Sequence, residues 1–232
     1  MAGLALFLFL LVGGLMSMHK RSSRSQRKMR FETKKMHIFS EGPTERKYVE
    51  KENIRLRGSG WSIKAHKECN GPTPKLVDDT LDYIRKNGHE FEPGDEIYIL
   101  FDYDVNLENS QNAEARLANS LRKIEEYNKD PHKGIRIIPL VSNDAFELWL
   151  VLHFQDINGH TLRTNLNALL SKHLGHEYEK ASSTLYDELE KLGDRDAAIK
   201  RAKKLETENH RSNPSTEIYK LVETIALRTR DC

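Results

Sequence analysis

Short uninterrupted apolar runs alternate along this chain with stretches in which apolar residues recur every three or four positions, and that rhythm predicts the elements. "MHIFS" (36–40) reads as a first strand, which Gly42 and Pro43 turn into a helix through "TERKYVEKENIRL". "WSIKAH" (61–66) reads as a second strand. "GPTPKLVDDTLDYIRKNG" puts Leu76, Leu81 and Ile84 on one helical face, with Gly88 just past its end. "EIYILF" (96–101) is the clearest strand, since continuous apolarity implies burial on both faces. Residues 110–128 place Ala113, Leu117, Leu121 and Ile124 at helical spacing, and "GIRIIPLV" (134–141) is a fourth strand. "NDAFELWLVLHF" (143–154) follows as a very apolar helix with Asn143 or Asp144 as its N-cap.

Repeated strand–helix alternation implies a parallel sheet covered by crossover helices, because parallel neighbours need long right-handed connections. Beyond Gly159 the strand signal ends. Helices are expected over 161–173 and 181–191, from 194, and from 214, where Asn213 caps and Pro214 takes the first helical position. The expected fold class is therefore α/β, a parallel sheet with flanking helices followed by a C-terminal helical extension. Its divisions are a leader over 1–35, the α/β domain over 36–159 and the extension over 160–232.

With 232 residues and 38% hydrophobic positions, the chain can bury its own core. Cys69 and Cys232 form no CxxC pattern, which argues against a disulfide framework or a cysteine zinc site and fits a reducing, cytoplasmic setting. The net charge of +2 conceals an arm: residues 17–35 carry eight Lys or Arg against Glu32, or +7, which leaves −5 for the rest. Such an arm either touches nucleic acid or anionic lipid or is a solvated terminal charge run. The apolar stretch from Ala2 to Met16 is shorter than the roughly 20 residues that span a bilayer, so no stable membrane association is expected. It reads as translated upstream sequence with the start at Met18, Met29 or Met36. The alternatives are a weak anchor that leaves the domain in the cytoplasm and a secretory signal.

Ligands of open parallel sheets collect beyond the carboxyl ends of the strands, and carboxylates cluster there in this chain. Glu41 follows the first strand, and Asp102 and Asp104 follow "YILF". Glu45, one helical turn after Glu41, can return to the same side. Acids held together against their own repulsion imply a positive partner. Hard oxygen donors of this kind suit magnesium or manganese, and two such ions can stabilise the attacking and leaving oxygens of a phosphodiester displacement. Either acidic cluster alone is also what a helix start or an Asp turn produces.

"FSEGPTERKYVE", "ILFDYDVN", "IIPLVSNDAFELWLVLHF" and "NPSTEIYKLVE" together resemble the RloB family of bacterial proteins, over roughly Met36 to Leu227. That family is regarded as carrying a Toprim-type domain and is found near restriction and abortive-infection systems. The resemblance implies a Toprim-like fold in which Glu41 matches the first-strand glutamate and Asp102 and Asp104 match the DxD pair. It assigns Glu45 to metal binding. Two departures stand out: Val105 where relatives often carry another acid, and "SNDAFELW" where "SNPCFELW" is usual. The first bears on a second metal site, the second on how the following helix begins.

The resulting expectation is a magnesium- or manganese-dependent phosphoesterase, a nuclease on DNA or RNA in phage defence. Asp102 and Asp104 hold the ion, Glu41 is ligand or general acid/base, and Glu45 and Glu147 support a second ion. Glu147, on an apolar helix, either completes that site or is held by a structural hydrogen bond or salt bridge. Ser142 and Asn143 either bind a phosphate or cap the helix that follows. The alternatives are a non-catalytic module that binds nucleic acid or a nucleotide through the same cation and positions a partner protein, and nucleotidyl or other phosphoryl transfer. No GxxxxGK[ST] sequence occurs, so a nucleotide-driven step needs a partner ATPase or restriction-system protein. His153, Trp61 and Trp149 read as core residues. His173 and His176 lack supporting acids, and the basic face over 200–204 is that of an ordinary amphipathic helix or a phosphate contact.

Overall fold

A computed structural model describes residues 33–69, 71–103, 110–130, 134–209 and 212–230. The fold is α/β, a five-stranded sheet in the order β2-β1-β3-β4-β5 with helices on both faces, consistent with a Toprim-like arrangement. β1 (Lys34–Ser40), β2 (Trp61–Ala65), β3 (Glu96–Asp102) and β4 (Arg136–Asn143) are parallel. β1 begins at Lys34, so the last two residues of the expected leader belong to the sheet. The leader over 1–32 and Asp104 lie outside the described residues.

Period-two alternation sorts the strand side chains between two cores. Met36, Ile38, Tyr98 and Leu100 face α1 (Pro43–Glu52) and the C-terminal helices, whereas Phe39, Ile97, Ile99, Phe101 and Val141 face α2 (Thr73–Lys86) and α3 (Ser110–Asn128). The chain runs from β1 outward to β2 and then crosses to β3 on the other side of β1. The reversal makes the carboxyl ends of β1 and β3 a topological switch point, where open sheets leave a crevice.

Two expectations change. The apolar run over 143–154 yields only a five-residue helix, α4 (Glu147–Val151), whose cap position is Phe146, because β4 continues through Asn143. Asp144 instead accepts the backbone N–H of Arg163 at 2.9 Å, at the start of α5 (Arg163–Leu174). The residue caps a helix, but a different one. Nor does the strand signal end at Gly159: Ser215–Thr216 form β5, antiparallel to β4, with Asn143 opposite Ser215 and Ser142 opposite Thr216. The Glu217 carboxylate accepts the Val141 N–H at 3.0 Å, extending this short ladder with a side chain. Pro214 therefore precedes a strand rather than starting a helix.

α5, α6 (Leu185–Leu192), α7 (Arg195–Asn209) and α8 (Ile218–Arg230) share one hydrophobic core with the first face of the sheet, from Met36 to Ile225. Trp149 and His153 are buried there, with His153 Nδ1 3.0 Å from the Trp149 carbonyl. His173 bonds Gln155 and His176 bonds Glu188, two separate pairs. On the expected basic face, Arg201 donates to the Leu152 carbonyl and Lys203 pairs with Glu223. Among the described residues no helix is long and apolar enough to cross a membrane.

On the α2–α3 side, Asp95, His37 and His66 form a buried chain: His37 Nε2 lies 3.2 Å from Asp95 Oδ2 and His37 Nδ1 lies 3.0 Å from His66 Nε2. Burial and the neighbouring His37 push His66 down to about 4 from its ordinary 6.5. Between those values the unfolded chain binds more protons than the fold, so this contribution is complete above pH 6.5 and is lost as pH falls towards 4. Wild type is expected to lose up to about 3 kcal/mol through this group. His66→Gln keeps a donor for His37 without titrating, and should lack that component when urea unfolding is followed from pH 7 to pH 4.

Candidate functional site

Glu41 leaves the end of β1 and Asp102 ends β3, the strand beside it. The two meet at Thr73, the first residue of α2, whose hydroxyl lies 2.5 Å from Glu41 Oε1 and 3.0 Å from the Asp102 carbonyl oxygen. Asp102 is fixed further: Oδ1 accepts the Phe146 N–H at 3.0 Å, and Oδ2 pairs with Arg163 Nη2 at 2.7 Å. Glu45, in the first turn of α1, is buried and folds back over Gly42. A Cβ at position 42 would stand 2.8 Å from Glu45 Oε2, so a larger residue there would push that carboxylate aside.

Glu147, also buried, extends the acidic set from α4: its Oε1 accepts the Tyr178 hydroxyl at 3.3 Å and lies 3.6 Å from Lys180 Nζ. The segment carrying Tyr178 and Lys180 is tied to α1 where the Ala181 N–H meets Thr44 Oγ1 at 3.0 Å. Four carboxyl groups thus meet two cations, Arg163 and Lys180, both from the C-terminal part of the chain.

The electrostatics record the crowding. Burial raises Glu41 to about 7 and the Glu45 charge adds to the rise, while Thr73 and the Asp102 backbone oppose it. Burial and Glu147 raise Glu45. Asp102 is pushed up by burial and by Glu45 and Glu41, against the pull of Arg163. A carboxyl raised in the fold binds more protons there than when unfolded, so its stabilising protonation is lost as pH rises from about 4.5 to about 7. Glu41→Gln keeps an acceptor for Thr73 and removes the titration. In EDTA it is expected to stabilise the fold by up to about 3 kcal/mol at pH 8 and by nothing near pH 4, read by urea unfolding at both values.

A cavity of about 340 Å³ opens beside these groups, lined by Glu41, Thr73, Asp102, Tyr103, Arg116 and Arg163 among others. It has acids at its base and the exposed Lys75 and Arg116 at its rim. A family model described as RloB-like protein matches residues 36–225. The chain belongs to the RloB-like family. No curated protein and no solved structure matches it.

The donor set of this RloB-like chain fits a hard divalent ion in kind and in charge, since its oxygens carry more negative charge than two cations relieve. Among the described residues, however, no group of three or more His, Cys, Asp or Glu side chains is gathered to hold a metal ion. Asp102 is turned to Arg163 and to the Phe146 amide. Ser142 and Asn143 are buried in the ladder between β4 and β5, and the Ser142 hydroxyl bonds Thr216 Oγ1 at 2.9 Å. Neither caps α4, which begins at Glu147.

Sequence patterns do not single out Arg163, Thr73, Tyr178 or Lys180, although one signal was present. Arg163 opens α5, where the helix dipole disfavours a cation, so a carboxylate from elsewhere is needed to hold it.

Proposed function

We propose that this chain is a metal-dependent phosphoesterase, a nuclease acting on DNA or RNA. The observation that carries the reading is that the Glu41 carboxylate and the backbone carbonyl of Asp102, from adjacent strand ends, meet at the Thr73 hydroxyl, with both residues lining one cavity with a basic rim. Magnesium or manganese would be held by Glu41, Asp102 and Asp104, with Glu45 and Glu147 towards a second ion, and when bound would polarise a phosphoryl oxygen and activate water. Glu41, raised to about 7 without an ion and held by the Thr73 hydroxyl, would serve either as a ligand or, if the ion rests on the other acids, as the general acid/base. Arg116, with Lys75 beside it in an ion pair with Asp79, supplies the charge that attracts a polyanion. A Toprim-type assignment and a role in phage defence, with an ATPase or restriction-system partner, are our extension from family membership.

Full-length protein is expected to cleave at least one of single-stranded or duplex DNA or RNA with magnesium or manganese, and to stop in EDTA or as Glu41→Gln. Cleavage indifferent to metal and to Glu41 would sink the assignment. One observation favours a second reading, a non-catalytic module that binds nucleic acid and positions a partner: both Asp102 oxygens are already engaged, by Arg163 and by the Phe146 amide. Metal-dependent binding without turnover across that panel selects it.

A further inference from the structure

Arg163 is pinned at two points. Its backbone N–H donates to Asp144 Oδ2 at 2.9 Å, and its Nη2 donates to Asp102 Oδ2 at 2.7 Å. Its side chain is nonetheless one-third exposed (33%) and forms part of the wall of the 340 Å³ cavity, beside Arg116 and Tyr103. One carboxylate oxygen of Asp102 is therefore committed to a cation that also borders the cavity.

We propose that Arg163 recognises a nucleotide phosphate at this site, and that its pairing with Asp102 couples phosphate binding to divalent-ion binding so that each ligand strengthens the other. The inference rests on the metal-dependent reading above and goes beyond it by naming the residue that links the two ligands. Asp102 cannot give its full charge to a guanidinium and to an ion together, so an ion there weakens the pair and leaves the Arg163 charge facing the cavity. A guanidinium fork matches phosphate oxygens as well as carboxylate ones, so a phosphate takes the released group. Run in the other direction, a phosphate on Arg163 leaves Asp102 open to the ion. Linkage requires the two effects to be equal in size. The cavity lies at the small end of ligand pockets, about 300–1,000 Å³, which suits a single nucleotide unit with its base towards Tyr103.

The test uses the full chain, manganese followed by electron paramagnetic resonance of the free ion, and thymidine 5′-monophosphate followed by calorimetry. In wild type each ligand is expected to tighten the other by the same factor, about tenfold. Arg163→Gln should bind manganese alone more tightly than wild type and lose most of that mutual factor. Arg163→Lys, a point charge without the fork, should fall between them and serves if the glutamine variant does not fold. Lys180→Gln removes a cation from the same acids on the Glu147 side and should leave the factor unchanged. An unchanged mutual factor in Arg163→Gln, or manganese binding no tighter in its absence, overturns the proposal. The same holds if Lys180→Gln erases the factor equally. If wild type binds no manganese, or binds it without regard to Asp102→Asn, the metal-dependent reading fails and takes this inference with it. Manganese binding that needs Asp102 but ignores Arg163 sinks the inference alone.

Discussion

Asp102→Asn is expected to lower metal-dependent cleavage by about a thousandfold, or about 4 kcal/mol of transition-state stabilisation, while moving fold stability by no more than about 1 kcal/mol. The two effects separate because the proposed function gives Asp102 a role at the ion beside the one it has in the fold. Towards the fold it is an acceptor, and an asparagine oxygen can still take the Phe146 N–H that Oδ1 accepts at 3.0 Å. The change gives up the charged pair with Arg163 but also removes one of the acids that raise one another, and Asp102 is itself pushed up by burial, Glu45 and Glu41. Loss and relief are of opposite sign. Towards a divalent ion an amide is a far weaker ligand than a carboxylate, and nothing offsets that. Cleavage rates at saturating manganese and urea unfolding in EDTA, on the same samples, provide the check. Cleavage within tenfold of wild type by a folded variant would remove Asp102 from the chemistry.

The pH responses of His66 and Glu41 oppose each other. Burial lowers His66, so its contribution fades as pH falls below 6.5, while burial raises Glu41, so its contribution fades as pH rises from about 4.5. The two shifts are of similar size, so between pH 4.5 and 7 the contributions of these two groups largely cancel. Only the single variants reveal each component.

β1, β3 and β4 are legible because burial writes nearly continuous apolar runs, β2 because Trp61, Ile63 and Ala65 alternate with polar residues, and the two acids because they sit where such runs stop. α4 is misread because an apolar run with no polar face has no period to mark its end, and five helical residues followed by turns look the same as twelve. β5 is not legible at all: two residues carry no alternation, and their pairing depends on Thr216 meeting Ser142 and on Glu217 meeting Val141, more than 70 residues away in the chain. The cations follow a rule that local reading reverses. Arg163 opens α5 and Arg195 opens α7, positions where the dipole favours acids, and each is held by a carboxylate 61 or 143 residues away. A charge that offends its own helix marks a tertiary pair.

Arg195→Met should test that rule with a stability loss of about 3 kcal/mol, at the lower end of the range for breaking a buried pair. Glu52, 1% exposed at the last position of α1, pairs through Oε2 with Arg195 Nη2 at 2.8 Å and accepts the Tyr186 hydroxyl on Oε1 at 3.1 Å. Removing Arg195 leaves that carboxylate buried with the Tyr186 hydroxyl and with Arg55, 3.5 Å away and one-third exposed, so the loss falls short of a fully orphaned charge. Burial already raises Glu52 against the pull of Arg195. Without that pull it rises further, and the variant's deficit should be largest near pH 8 and shrink as acid protonates the group. The double change Glu52→Leu with Arg195→Met removes the stranded charge and should recover most of the loss, because the pair's attraction largely offsets its own desolvation. Urea unfolding of both singles and the double, at pH 8 and pH 5, gives the coupling directly. A double variant as unstable as Arg195→Met would mean that packing of the arginine stem, and not charge, joins α1 to α7.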